Sequence, residues 1–214
     1  MRRSGASVVK TAALALAVGV AALAVACGGG GEGEDAAASV TLDQLPEMVL
    51  NLEDLPAGYV SGEAGEVRGS ADMGTLGGYT AYYFRLDESG QFQGEAACVW
   101  ASVALYESSG KAKAALEEAK RLSEGQPESV SIPVIGDGST ARFHFPRGVP
   151  YSCGGGNGDQ ALHDVDAEVA AVLFHKGRIE GSITFWTLAQ GTSVDAAVEF
   201  ARKQLARIDA ASEE

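Results

Sequence analysis

With 214 residues, 29 acidic against 16 basic side chains and a net charge of −13, the chain is long enough for one domain with a proper core. It is too acidic to hold a phosphate backbone. Nucleic acid is excluded as an expected partner, and anionic lipid headgroups are repelled by the same charge.

The first segment reads as an address. Arg2, Arg3 and Lys10 make a positive start, Thr11 to Ala26 is an unbroken run of small and apolar residues, and Leu23-Ala24-Val25-Ala26 leads into Cys27. This pattern predicts a lipoprotein signal peptide over 1–26, cleaved before Cys27, with a lipid such as palmitate on that cysteine. A retained membrane helix and ordinary secretion with nearby cleavage are the competing readings. The run is shorter than the roughly 20 apolar residues that spanning requires, and it ends in Cys27 and glycines without stop-transfer charges. It resembles bacterial lipoprotein signals, which usually carry Leu three positions before the cysteine; here Ala24 stands there and Leu23 one step earlier. Arg2-Arg3 is a twin-arginine pair without the bulky apolar residues expected after it, so routine export is the expectation. Loss of the three cations would deepen the charge from −13 to −16, and membrane contact would then come from the lipid.

Residues 27–39 are expected to be the lipidated cysteine and a flexible tether, because Gly28 to Ala38 contains only Gly, Ala, Glu and Asp and has no large apolar side chain to bury. A single globular domain is expected over 40–210, with a disordered tail over 211–214. With Cys27 assigned to the lipid, Cys98 and Cys153 remain. In an oxidising compartment they are expected to form a disulfide, worth ~4 kcal/mol in the chain-entropy treatment of so long a loop. Free thiols and a metal site are the alternatives, but no Cys-x-x-Cys or His-x-x-x-His spacing is present.

Within the domain, the leucines of Thr41 to Leu55 predict a short helix starting near Pro46, ended by Leu55-Pro56-Ala57-Gly58-Tyr59. Val60 to Gly78 is rich in Gly, Ser and acids and is expected to be irregular. Tyr79 to Leu86 and Ala97 to Tyr106 alternate as strands and are expected to pair. Ala112, Ala115, Leu116, Ala119 and Leu122 recur at helical spacing behind Ser108-Ser109, which can cap the orphan amides. Further strands are expected over Ser129 to Ile135, Thr140 to Phe145, Ala167 to Phe174 and Ile179 to Leu188, the last two joined by a tight hairpin at His175-Lys176-Gly177-Arg178. A final helix follows Thr192 or Ser193, with Val194, Ala197, Val198, Ala201, Leu205 and Ile208 on one face and Arg202, Lys203 and Arg207 near its negative end. The fold class is α+β: an antiparallel sheet of about six strands flanked by two main helices and preceded by a short N-terminal helix.

Leu52-Glu53-Asp54-Leu55-Pro56-Ala57-Gly58-Tyr59, Ile135-Gly136-Asp137-Gly138 and Phe174-His175-Lys176-Gly177-Arg178 resemble segments of small bacterial envelope lipoproteins. More loosely, the order of elements is similar to the extracellular sensor domain of mycobacterial receptor kinases and to the PsbP/Mog1-like fold. The resemblance implies an exported, non-enzymatic, sensor-like domain; it is architectural and carries no catalytic signature.

No constellation for chemistry emerges. His144, His163 and His175 are not grouped at metal-ligand spacing, and Asn157, Asp159, Asp164 and Asp166 miss the calcium-loop pattern. Gly154-Gly155-Gly156-Asn157-Gly158 lacks the helix start and Lys of a phosphate loop, and no Gly-x-Ser-x-Gly is present. No catalytic residue, metal or cofactor is expected. One sheet face is more suggestive. If Val99, Val103, Ala141, Phe143, Phe145, Ile183 and Phe185 point to the helices, the other face presents Trp100, Ser102, Tyr106, Arg142, His144, Ser182, Thr184 and Trp186. Trp100, Arg142, His144, Thr184 and Trp186 are the candidate ligand-binding residues, unless the leading Leu-rich helix or the 60s glycine region covers them. The expectation is a lipid-anchored extracytoplasmic domain that binds or senses a small ligand or envelope protein. The alternatives are a hydrolase of envelope polymers and a purely structural surface lipoprotein.

Overall fold

A computed structural model describes residues 40–85, 97–123, 128–144, 149–151, 162–165, 167–188 and 193–213, all within one compact unit, Asp35–Glu214. Cys27, the signal and tether segments, Phe145, Cys153, the glycine loop and most of the acidic loop lie outside the described residues.

The leading segment folds in short capped turns. A 3-10 turn, Leu42–Gln44, runs into helix α1, Leu45–Met48, with Pro46 in its first turn, and a second 3-10 turn spans Leu52–Asp54. Asn51 caps the second turn: its side chain accepts from Glu53 N at 2.9 Å while Asp54 Oδ2 accepts from Asn51 N at 2.8 Å. Leu45, Met48, Val49 and Leu50 are buried, so this segment is part of the core.

Strands β1 (Tyr59–Arg68), β2 (Thr75–Arg85), β3 (Ala97–Tyr106), β4 (Ser129–Val130), β5 (Gly138–His144), β8 (Glu168–Lys176) and β9 (Ile179–Thr187) form a seven-stranded sheet in the order β1-β2-β3-β9-β8-β5-β4. Every strand pairing in it is antiparallel. Strands β6 (Val149–Tyr151) and β7 (Leu162–Val165) make a separate two-stranded ribbon. The β8–β9 hairpin closes on Gly177-Arg178, with Lys176 paired to Ile179. Gly177 has φ +55 there, a conformation glycine adopts without cost, and its N–H donates to Asp137 Oδ2 at 2.8 Å.

Helices α2 (Ser109–Ser123) and α3 (Ser193–Ser212) lie on opposite faces of the sheet. The inner face carries Val99, Ala101, Val103, Ile183 and Phe185, all buried. Phe200 of α3 meets Phe185 edge-on at 5.6 Å between ring centroids. Gln204, fully buried, ties the layers together: its Nε2 donates to Ser102 O at 2.8 Å and its Oε1 accepts from Leu50 N at 3.2 Å. Tyr83 holds the same residue from the other side, its hydroxyl donating to Leu50 O at 2.6 Å. Helix α2 packs on the outer face, where Leu116 lies against Gly138 and the His175 ring. Ser108 caps it, accepting from Lys111 N at 3.3 Å.

Several expectations need correction. The sheet has seven strands rather than about six, because the segment expected to be irregular after Val60 is β1 and the start of β2. The strand expected over Ser129 to Ile135 shrinks to Ser129–Val130, since Pro133 has no N–H to give a ladder. Helix α3 continues to Ser212 with Ala211 buried, reaching into the stretch expected to be a disordered tail. Its cations therefore do not sit in the last turn. Lys203 instead donates to Asp54 O at 2.7 Å, and Arg207 Nε donates to Glu47 O at 3.1 Å, fastening the leading segment to the helix.

Candidate ligand-binding face

Cross-strand register places the outer-face side chains in rows. One row runs Tyr82, Trp100, Thr184, Ala171, Arg142 across β2, β3, β9, β8 and β5. Trp100 is 45% exposed. Its ring stacks on Tyr82 with centroids 5.4 Å apart and planes 15° from parallel, the offset geometry aromatic pairs favour. The indole N–H donates to Thr80 Oγ1, so the ring's orientation is fixed and its donor is already used.

At the other end of the row stands a charged group. Glu128 accepts from Arg142 Nη2 at 3.0 Å through Oε2 and lies 2.9 Å from His144 Nδ1 through Oε1. One carboxylate thus holds two side chains that remain 40% and 53% exposed. Between this cluster and Trp100 lie Thr184 and Ala171, with Ser182 of β9 and Leu173 of β8 in the adjoining row. From Trp100 to Arg142 is three strand spacings, about 14 Å. The face is thus bounded by an aromatic pair at one end and an ion-paired cluster at the other, with Thr184, Ala171, Ser182 and Leu173 between them.

The third side of the face is closed. Two rows from Trp100 lie Ala104, Glu180 and His175, at the end where α2 packs. Tyr106, expected on the open face, is buried there and its hydroxyl donates to Glu180 Oε2 at 3.2 Å. Burial pushes the Glu180 carboxyl up to about 7, against the lowering effect of that hydrogen bond. Tyr106 is pushed up as well, first by burial and then by the Glu180 charge.

Of the five residues singled out in the sequence, Trp100, Thr184 and Arg142 share one row. Trp186 and His144 share the neighbouring row with Cys98 and Val169. Trp186 is half-buried rather than open. The leading segment does not cover this face: Leu45 to Leu50 belong to the inner-face core. Sequence reasoning missed Tyr82, Thr80 and Glu128. The first two follow from the β2–β3 register, since Tyr82 falls opposite Trp100, but Glu128 gives no signal in isolation.

No family model matches the chain, and no curated protein matches it. Among solved structures, the extracellular domain of PknH from Mycobacterium tuberculosis aligns with a TM-score of 0.49 and 12% identity, over 82% of this chain and 98% of that one. A likeness this distant says nothing about what this chain binds.

Elsewhere, an open depression of about 400 Å³ is lined by Glu47, Asp54, Lys203, Arg207 and neighbouring alanines of α3. Two of its cations fasten the leading segment: Lys203 Nζ donates to Asp54 O at 2.7 Å, and Arg207 Nη1 pairs with Asp54 Oδ2 at 3.3 Å. Among the described residues no group of His, Cys, Asp or Glu is placed to hold a metal ion, and no helix is long and apolar enough to cross a membrane.

Proposed function

We propose that this chain is an extracytoplasmic binding domain, tethered through a lipid on Cys27, that takes a ligand or envelope partner on the outer face of its sheet. The observation that carries the binding reading is the exposed Trp100 ring. Held by Tyr82 and Thr80, it shares a cross-strand row with Arg142 of the polar cluster. An ordered tryptophan left in solvent, with hydrogen-bonding groups at reach, suits recognition better than packing.

Binding is favoured over hydrolysis by the placement of the acids. Glu168, which is buried, and Glu180, which is half-buried, belong to opposite faces: Glu168 pairs with Thr187 on the Phe185 side, and Glu180 sits on the α2 side. Lying on opposite faces, they do not face one another as an acid and base pair. The purely structural reading leaves the exposed, oriented indole unexplained.

A disulfide from Cys98 to Cys153 is part of the proposal. Cys98 is buried at the start of β3 and is not without a partner. The export signal and lipid rest on the 1–27 sequence pattern. Mass spectrometry of the membrane fraction tests that part: a mature chain beginning at an acylated Cys27 is expected, and an intact Met1 with a free thiol would refute it. For the binding face, tryptophan fluorescence is read while a delipidated envelope extract is added. Saturable quenching that disappears in Trp100→Ala supports the reading, and an unchanged response in that variant refutes it.

A further inference from the structure

We propose that the ligand class of the outer face is a neutral oligosaccharide, laid across the strands from Trp100 to Arg142. This rests on the binding reading above and narrows it.

Three observations converge. First, the span between Trp100 and Arg142 lies on β3, β9 and β8, interior strands whose neighbours on both sides are in place. Their backbone groups are consumed by the ladder, so a peptide cannot be taken up by strand addition, which needs a free edge. Recognition must come from side chains alone.

Second, the Trp100 ring offers an apolar surface without its own donor, because the indole N–H is held by Thr80 Oγ1, and Tyr82 beside it adds a phenolic hydroxyl. A pyranose presents the complementary surface: a patch of C–H groups on one face and hydroxyls around the rim. Weak C–H contacts with the ring hold the face, while hydroxyl groups such as those of Thr184 and Ser182 meet the rim. Carbohydrate hydroxyls both donate and accept. The far end provides donors from Arg142 and an acceptor from Glu128, already fixed to one another at 3.0 Å.

Third, that end is internally compensated. Glu128 offsets Arg142, so it presents no unpaired cation for a phosphate or uronate, and the chain's net charge of −13 opposes polyanions. The distance of about 14 Å between the two ends exceeds a single sugar ring, which points to several linked units.

The test uses the full chain held in a non-glycosidic detergent. Ligands are titrated by tryptophan fluorescence, with saturation-transfer NMR as the second readout. The probes are cellotriose, chitotriose, free glucose, a polygalacturonate trimer and a proline decamer. The expected result is saturable binding of a neutral trisaccharide, at least about tenfold tighter than glucose, weakened about tenfold by Trp100→Ala and less by Trp100→Phe. Binding should persist in about 0.5 M salt, where the Debye length is only roughly 4 Å. Arg142→Gln should weaken the trimer more than the monosaccharide. Preference for the polygalacturonate trimer, or for the proline decamer with its extended aromatic-docking backbone, overturns the neutral-sugar assignment while the binding face survives. Trisaccharide binding that ignores Trp100→Ala overturns the location. If the probes fail while the envelope extract still quenches Trp100, the sugar class falls alone; if the extract fails too, both readings fall.

Discussion

Glu180→Gln should raise the stability of the domain at alkaline pH and leave it unchanged in acid. Glu180 lies on the α2 side of the sheet, with Tyr106 on β3 and Thr75 on β2 to one side, His175 on β8 opposite, and Glu117 of α2 near His175. Its folded carboxyl titrates at about 7 instead of the ordinary 4.5, so the fold favours the protonated form. The resulting contribution is fully present below pH 4.5 and is lost as pH rises through 7. At 1.36 kcal/mol per tenfold, the gap corresponds to about 3 kcal/mol, reduced to about 2 kcal/mol by the solvent contact that Glu180 keeps. Glutamine keeps the shape and an acceptor for the Tyr106 hydroxyl, but cannot ionise. Urea melts of both proteins from pH 4 to 8.5 are the assay. The two curves should coincide at pH 4 and diverge above pH 6, with the variant ahead by about 2 kcal/mol at pH 8, or ~4–8 °C in melting temperature. Parallel pH profiles with a constant offset would refute the burial of an ionisable Glu180.

Three further outcomes test the packing. Tyr83→Phe should cost about 1–2 kcal/mol and Gln204→Ala about 2–4 kcal/mol, because each removes a partner from the buried Leu50 backbone. The double variant should cost less than the sum, since both anchor one residue; strict additivity in denaturant melts would contradict a shared anchor. Gly181→Ala should destabilise by about 1–3 kcal/mol, because a methyl there would fall 2.3 Å from Phe174 Cζ; Gly181→Ala combined with Phe174→Leu should recover part of the loss. For the proposed bridge, thiol labelling of the unreduced, urea-unfolded chain should find Cys98 and Cys153 blocked, and a reductant should lower stability by ~4 kcal/mol; labelling of both without reductant would remove the bridge.

Alternation along a strand reports which side chains share a face. In β3 and β9 that parity was legible: Val99, Ala101 and Val103 against Trp100 and Ser102, Ile183 and Phe185 against Thr184 and Trp186. The hairpin at Gly177 and the Ser108 cap were legible for the same reason, being local chemistry. Strand β1 was not. It is an edge strand with Gly62, Gly65, Glu63 and Glu66 along mostly solvated surface, and its conformation is imposed by pairing with β2 around a bulge between Ser61 and Ala64. What parity cannot report is which layer lies over a face, and there the candidate site was only half readable. Glu180, Ser182, Thr184 and Trp186 look like one polar face, yet Glu180 lies in the row where α2 packs and Thr184 lies two rows away. The connection explains the division. Strand β3 ends at Tyr106 and α2 begins at Ser109, so two intervening residues pin the helix to the Tyr106 end of the sheet. It therefore settles over the row of Glu180, His175 and Gly138 and stops short of Trp100, six residues or about 20 Å back along β3. The short link that buries one polar row is what leaves the aromatic row accessible to a ligand, so lengthening the Glu107-Ser108 connection should loosen α2 and the Glu180 titration without altering the Tyr82–Trp100 stack.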